Sequence, residues 1–280
     1  MTELRIDNPS AAETEDLAEH QRMVRRAKWL KIYHGSLLPL LSGIAGLLLW
    51  ELAVWGFALP QYLLPAPMQV FETMIDRWPV LMSHLWYTVV ASSVGFVIAL
   101  VLGIVVGAAI ATSRSIDRVL YPWLVIAHAI PKVVVAPLLL VWIGFGLKSG
   151  IIFVVVFTFF PIVVSTVTGL KSAEPDLLQL VKSMRANRWQ TMWKIRIPTA
   201  LPHVFSGIKI AATGAPVGAV IGEFVASNRG LGYALIQAVG SLDTPYAFAS
   251  VIIISVFGVT IWYLAELVEK LSIPWHASQR

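Results

Sequence analysis

The sequence predicts an all-α membrane protein, a bundle of about six transmembrane helices. Of its 280 residues, 57% are apolar and only 13% are charged, which is far from the composition of water-soluble domains. The apolar residues fall into six runs, each close to the roughly 20 residues that a helix needs to cross a bilayer. Short clusters of basic residues separate several of these runs. The chain is therefore predicted to fold within a membrane.

Six spans follow from the apolar runs. The first run comes after a charged tail and has no small-residue cleavage pattern, so we interpret it as a membrane anchor rather than as a removed signal peptide. An even number of spans places both ends of the chain on the same side. The predicted spans are 36–59, 85–111, 120–143, 150–169, 201–225 and 247–268.

The distribution of lysine and arginine predicts which side of the membrane the two chain ends occupy. Basic residues concentrate in the N-terminal tail, in the loop between spans two and three, at 171–198 and in the C-terminal tail, whereas the opposite loops hold only Arg77, Lys148 and Arg229. By the positive-inside rule, the basic side faces the cytoplasm. The expected organisation is a cytoplasmic tail at 1–35, a transmembrane domain at 36–270 and a cytoplasmic tail at 271–280.

Composition also bears on the chemistry. The chain has no cysteine, which excludes disulfides and thiolate metal sites, and its histidines show no metal-ligand spacing. The net charge of +5 is distributed between apolar runs, which favours contact with anionic lipid headgroups over nucleic acid. No metal site, cofactor or nucleic-acid partner is predicted.

Small residues recur at four-residue spacing in spans two and five. This spacing lines one face of a helix and lets two backbones approach closely. We interpret these residues as packing positions within the bundle or against a second copy. They are Gly103 and Gly107 in span two, and Gly207, Ala211, Gly214, Ala215, Gly218 and Gly222 in span five.

The segment 171–198 is too charged to cross a bilayer, yet it has a helical pattern. Pro175 suits a first helical turn, and acidic residues beside it favour the positive end of a helix. Apolar residues then recur at helical spacing, so a short amphipathic helix is expected. Asn187 is expected to end it and start a second helix, which Pro198 would close. Such a pair either lies on the lipid surface or fits a groove on a cytoplasmic partner.

Four stretches of the chain carry a family resemblance. The segment at 183–202, SMRANRWQTMWKIRIPTALP, resembles the cytoplasmic docking loop of permease subunits of binding-protein-dependent ATP-binding-cassette (ABC) importers. Gln179, Leu180 and Val181 stand where that family has Glu-Ala-Ala, and Arg185 stands where it has glycine. Three further blocks resemble its nitrate, sulfonate and taurine branch: LLPAPMQVFETM at 63–74, IPKVVVAPLLLVWIGFGLKSG at 130–150 and GAVIGEFVASNRGLGYALIQA at 218–238.

The resemblance implies a type I ABC importer permease fold in the bacterial inner membrane and a subunit that is not an enzyme. GFGLKSG lacks the glycine before lysine of a phosphate-binding loop, so ATP and Mg²⁺ are expected in partner ATPase subunits. The implied partners are a second permease copy, two cytoplasmic ATPases and an external substrate-binding protein. The residues expected to couple to the ATPase are Leu177, Gln179, Val181, Met184, Arg185, Arg188 and Trp189.

Ionisable residues inside spans are costly and indicate functional positions. Lys132, next to Pro131 in span three, is a candidate for attracting an anionic cargo; alternatively it pairs with Glu51 or with a freed carbonyl. His128 and Trp142 are weaker candidates for the same path.

Near the external end of span five, Glu223 and Arg229 belong either to an external gate or to docking of the binding protein, or else they form a solvated ion pair. An ion-coupled secondary transporter is the alternative function, although the two halves of the chain show no repeat. The sequence leaves the cargo open among small anions such as sulfonates, nitrate or aromatic acids, and pyrimidine or vitamin precursors.

Overall fold

The computed structural model describes residues 37–274, and across this range the secondary structure is helical and contains no strand. The N-terminal tail and residues 275–280 lie outside the described residues. Two short segments interrupt the α-helices. One is a more tightly wound 3₁₀ helix at Lys132–Val135, and the other is a more widely wound π-helical segment at Met192–Arg196. The α-helices are α1 Leu38–Gly56, α2 Pro67–Asp76, α3 Trp78–Thr112, α4 Arg114–Ala129, α5 Ala136–Ile143, α6 Leu147–Lys171, α7 Pro175–Ser183, α8 Arg188–Thr191, α9 Ile197–Ala226, α10 Leu231–Gly240 and α11 Thr244–Ser272.

The predicted number of spans is confirmed. Within the described residues, five helices are long and apolar enough to cross a membrane, and a bent pair formed by α4 with the 3₁₀ helix and α5 makes a sixth. Helix α3 begins at Trp78, well before the apolar run predicted for span two. Its added turns contain Ser83 and His84, polar residues that hydropathy alone places outside a span.

The chain divides into two compact units, Met1–Pro67 and Met68–Arg280. In the first unit, α1 is apolar apart from Ser42 and Glu51, as expected for a helix that crosses a membrane. In the second unit, α6 is the central helix, and α3 and α9 pack along it. Helix α11 packs on α9 and on the short helix α10.

The small residues predicted as packing positions lie where α3 and α9 meet α6. A Cβ added at Gly103 would come within 2.7 Å of Ile162, and one at Gly107 within 2.7 Å of Thr166. On the other side, a Cβ at Gly222 would lie 3.0 Å from the Cα of Gly150. Because lipid gives no hydrophobic drive for helix association, this close backbone approach supplies the packing.

The third span differs from its prediction as one helix over 120–143. The chain bends by 87° between α4 and the 3₁₀ helix that leads into α5. Ile130 is extended, with φ −66° and ψ 126°, as a residue before proline prefers, and Pro131 has no amide proton for a helical hydrogen bond. Lys132 lies just after the bend, at the start of the 3₁₀ helix.

Candidate coupling segment and translocation path

The first amphipathic helix of the 171–198 segment is confirmed as α7. It begins after Glu174, with Pro175 in its first turn and Asp176 beside the positive end of the helix dipole, as the sequence indicates. Lys182 lies in the last turn, near the negative end. The helix forms locally because proline, acidic and basic residues each occupy the end that favours them.

The end of α7 differs from the prediction. The sequence predicts that Asn187 ends this helix, but the helix ends at Ser183 and Arg185 takes the left-handed conformation after it, with φ +57°. Asn187 instead caps α8 reciprocally: its Oδ1 accepts from the amide of Gln190 at 2.7 Å, and its own amide donates to Gln190 Oε1 at 2.8 Å. The prediction that Asn187 starts the second helix is thus confirmed, and Arg185 occupies a position that suits glycine.

The prediction that Pro198 closes the second helix is wrong. Helix α8 continues through the π-helical segment Met192–Arg196 into α9, in which Pro198 occupies the first turn. The wider π winding shifts the hydrogen-bond register just where proline offers no amide proton, so the helical path is not broken. From Arg188 to Ala226 the chain is one helical element.

The residues predicted to couple to an ATPase lie mostly on the outside of this segment. Leu177, Met184 and Trp189 are 40%, 72% and 72% exposed, and Val181 is half-buried. The polar members of the set, Gln179, Arg185 and Arg188, are exposed as well. Large apolar side chains are thus left without cover on two short helices that carry positive charge, the composition of an interaction surface.

Lys132 lies against the aromatic side chains of α6. Its Nζ is 5.7 Å from the ring centroid of Phe157 and 5.5 Å from that of Phe160, within the range of cation–π attraction. Among residues 68–274 it has no acidic partner within ion-pair distance, and it is half-buried. The cation is held beside apolar rings at the bend, with its charge not neutralised by a carboxylate.

The two weaker candidates for the path, His128 and Trp142, lie in different surroundings in the structure. The ring of His128 lies 5.5 Å from that of Phe160, so His128 and Lys132 share a neighbour across the bend. Trp142 lies in α5 and is 71% exposed, with no described contact to either of them. Among the described residues no group of three histidine or acidic side chains could hold a metal ion.

At the other end of α9, Glu223 is buried, and it forms no ion pair with Arg229. The interpretation as a solvated pair is wrong, because Glu223 Oε2 accepts from the amide of Gly232 at 2.8 Å in the first turn of α10. This carboxylate thus faces the positive end of a helix.

Two side chains of α3 complete the arrangement. His84 Nδ1 accepts from the amide of Gly230 at 3.1 Å, and Thr88 Oγ1 accepts from the amide of Leu231 at 2.9 Å. Gly230 has φ +104°, which glycine adopts without strain. We call His84, Thr88 and Glu223 the α10 clamp, since together they satisfy three successive amides that a helix start leaves without partners.

Arg229 adjoins the α10 clamp without belonging to it. Together with His84, it lines a cavity of about 620 Å³ whose walls include Trp86 and Leu147. Its backbone is fixed by Ser227, whose hydroxyl accepts from the Arg229 amide at 3.1 Å and donates to the Arg229 carbonyl at 2.7 Å. The guanidinium therefore borders an open cavity while the carboxylate of Glu223 is turned inward.

Sequence reasoning missed His84, Thr88 and the pairing of Lys209. In the structure, Lys209 Nζ in α9 lies 2.6 Å from Glu269 Oε2 in α11, and both side chains are largely buried. A lysine in one span and a glutamate in another are a signal for such a pair, because an unpaired charge inside a membrane is costly. Nothing in the sequence marks His84 or Thr88, whose partners lie more than 140 residues away.

The fold and the segment at 171–198 define a polytopic helical membrane protein with an exposed amphipathic segment between two spans. A similar fold is seen in an inward-facing structure of the MetNI methionine ABC transporter, with a TM-score of 0.61 and 19% identity over 70% of this chain and 97% of that one. The model of the family described as "Binding-protein-dependent transport system inner membrane component" matches residues 99–274. This chain belongs to that family.

Two curated relatives indicate the branch of the family to which the chain belongs. The chain is 32% identical to the formylaminopyrimidine transport permease ThiX of Halalkalibacterium halodurans, over 89% of this chain and all of that protein. It is 28% identical to the taurine transport permease TauC of Escherichia coli, over 90% of this chain and 94% of that protein. The chain is therefore an importer permease of the nitrate, sulfonate and taurine branch, and these two relatives carry chemically different cargoes by name.

Proposed function

We propose that this chain forms the translocation path of an ABC importer for a small anionic solute and couples that path to a cytoplasmic ATPase through α7 and α8. Two copies would assemble with two ATPase subunits, which hold ATP and Mg²⁺, and with an external binding protein that captures the cargo. Both chain ends would face the cytoplasm of a bacterial inner membrane, in keeping with the distribution of basic residues. Family membership supports an importer over an ion-coupled secondary transporter.

The coupling proposal rests on one observation: the exposed helix α8 continues into the span α9 as one helical element. Trp189 is uncovered in α8, and the same helical element runs on as far as Glu223 at the α10 clamp. A force applied to Trp189 by a moving partner would act on the whole of α9 rather than on a loop. Switching between two packed arrangements of a bundle requires such a rigid connection.

The coupling proposal is tested by Val181→Asp and Trp189→Asp, each of which places a carboxylate on the apolar face. Ser183→Asp adds the same charge at an exposed position of α7 that lies off the apolar stripe, so it is the matched control. We expect both test variants to lose the ATPase subunits on co-purification and to lose ATP-driven uptake, while the control keeps both. Normal assembly and uptake in the two test variants would refute docking through this face.

The proposed anionic cargo rests on Lys132. A half-buried cation beside two aromatic rings and without a carboxylate partner attracts an anion more strongly than a neutral solute, because partial burial weakens dielectric screening. Its position beside the bend places it where the helix leaves backbone groups free to line a path. A neutral solute such as a pyrimidine has no net charge to pair with this cation, so the position favours an anion.

Replacing Lys132 by Gln tests the charge, with Lys132→Arg to keep it and Lys148→Gln as a lysine control outside the bend. With the complex in liposomes, we expect Lys132→Gln to reduce uptake of an alkanesulfonate or an aromatic carboxylate at least several-fold, and the other two variants to transport normally. Uptake of an anion that is unaffected by Lys132→Gln would contradict the proposed role, whatever the outcome for ATPase docking.

A further inference from the structure

Two adjoining cavities lie between α7, α8 and the end of α3. The larger one measures about 790 Å³ and the smaller about 340 Å³, and they share Thr112, Leu178 and Arg196 in their walls. Thr112 is the last residue of a membrane span, and Arg196 immediately precedes α9. The cavities therefore open where two spans end, at the level of a membrane surface.

The walls of these cavities carry positive charge that the chain does not neutralise. Lys182, Arg188 and Arg196 line the larger cavity, and Arg114 joins Arg196 in the smaller one. Across residues 37–274, none of these four has an acidic group within ion-pair distance. The single acidic side chain in the walls is Asp117, and it is bound to Lys171 at 2.8 Å.

Arg196 is the most informative of the four because it is half-buried and faces both cavities. A charged group that loses water is retained where it meets a partner of opposite charge. The cavity walls also include the apolar side chains of Leu178 and Met192. The occupant must therefore combine an anionic group with apolar surface, at the depth where a headgroup meets the acyl chains.

We propose that these cavities bind the phosphate headgroup of one anionic phospholipid, with Lys182 and Arg196 around the phosphate and Leu178 and Met192 against the glycerol and upper chains. Basic clusters next to the cytoplasmic end of a span attract such lipids. The inference rests on the cytoplasmic orientation in the proposed function. A bound lipid would join the coupling helices to the end of α3, and would make coupling sensitive to the charge of the membrane.

The test uses the complete complex in nanodiscs of phosphatidylcholine alone and of an equal mixture of phosphatidylcholine and phosphatidylglycerol. Native mass spectrometry then counts the lipids that each complex retains. We expect phosphatidylglycerol to be retained over phosphatidylcholine, and the double variant Lys182→Gln, Arg196→Gln to retain it about ten-fold less, given the loss of two attractive charges. Lys194→Gln, in the same π-helical segment but outside both cavities, should behave as the unmodified chain.

Arg196→Lys keeps the charge and should keep the lipid, which separates loss of binding from loss of folding. Equal retention of the two lipids, or the same loss in Lys194→Gln, would overturn the proposal. Displacement of phosphatidylglycerol by inorganic phosphate would assign the cavities to a free anion instead. If the double variant loses the ATPase subunits and keeps the lipid, the cations serve the protein partner; loss of lipid with intact ATPase binding supports the lipid site.

Discussion

The α10 clamp and the coupling segment use polar and charged residues in opposite ways. At the clamp, three side chains from two helices meet three successive amides of a third, so that the helix start is satisfied within the chain. In the coupling segment, apolar and basic side chains are exposed and meet few groups of their own chain. Groups satisfied internally fix the bundle, whereas groups left uncovered are available to a partner.

The largest effect is expected at the ion pair between Lys209 and Glu269. Like the α10 clamp, this pair is satisfied within the chain. Lys209→Ala should lower the free energy of unfolding by about 3 kcal/mol, because it leaves a largely buried carboxylate without its partner. Exchanging the two residues, as Lys209→Glu with Glu269→Lys, should restore most of the loss. Chemical unfolding in mixed micelles measures both changes.

The control for that pair is Lys270 with Glu266, 2.7 Å apart on one face of α11, a pair more exposed than the inner one because Lys270 is 55% exposed. Lys270→Ala should change the free energy of unfolding by less than about 0.5 kcal/mol, as for other exposed helical pairs. An equal effect of Lys209→Ala and Lys270→Ala would show that burial does not set the strength of the inner pair.

The α10 clamp should respond next in magnitude. Glu223→Ala leaves the Gly232 amide without its acceptor and should cost about 2 kcal/mol of stability. Glu223→Gln keeps an acceptor oxygen at the same place, so most of the stability should remain. Glu72→Ala, at an exposed position of α2, is the control for loss of a carboxylate.

Limited proteolysis between 227 and 243, together with thermal unfolding, measures the effect on the clamp. Faster cleavage in Glu223→Ala than in Glu223→Gln would support the assignment. If both variants were as resistant as the unmodified chain, the amide of Gly232 would not depend on this carboxylate.

Arg185 offers a smaller, stabilising change within the coupling segment. Its left-handed backbone costs a residue with a side chain about 1 kcal/mol, so Arg185→Gly should stabilise the end of α7 by up to that amount, less the greater freedom of glycine when unfolded. Hydrogen exchange at the Ala186 amide, which donates to the Val181 carbonyl at 3.1 Å, should slow. Arg185→Ala keeps the Cβ and should not slow it; equal slowing in both variants would assign the effect to lost charge.

The smallest effect on folding is expected at Trp189. Because its side chain is mostly exposed, Trp189→Asp should change the free energy of unfolding of the isolated permease by no more than about 0.5 kcal/mol. The same variant is expected to abolish ATPase binding. A large loss of stability in the isolated chain would place Trp189 with the internally satisfied groups and remove the contrast between the two regions.

Much of the fold could be predicted from local pattern. The spans, the amphipathic helix at Pro175–Ser183 and the start of a helix at Asn187 each depend on residues that are neighbours in the chain. Predictions failed where two local tendencies compete. Pro198 ends many helices, but the π-helical segment before it absorbs the missing hydrogen bond; Asn187 tolerates the left-handed conformation, but its side chain is used as a cap and Arg185 takes that conformation instead.

By itself, the sequence determined that this chain folds in a membrane, which apolar runs form its spans and which segment is too polar to be a span, because hydropathy and helical spacing are properties of adjacent residues. Only the tertiary structure decided that Glu223, His84 and Thr88 meet at one helix start, that Lys209 reaches Glu269 and that four unpaired cations surround two cavities. These meetings join residues far apart in the chain, and they depend on how close α3, α9 and α11 pack around the centre of the bundle.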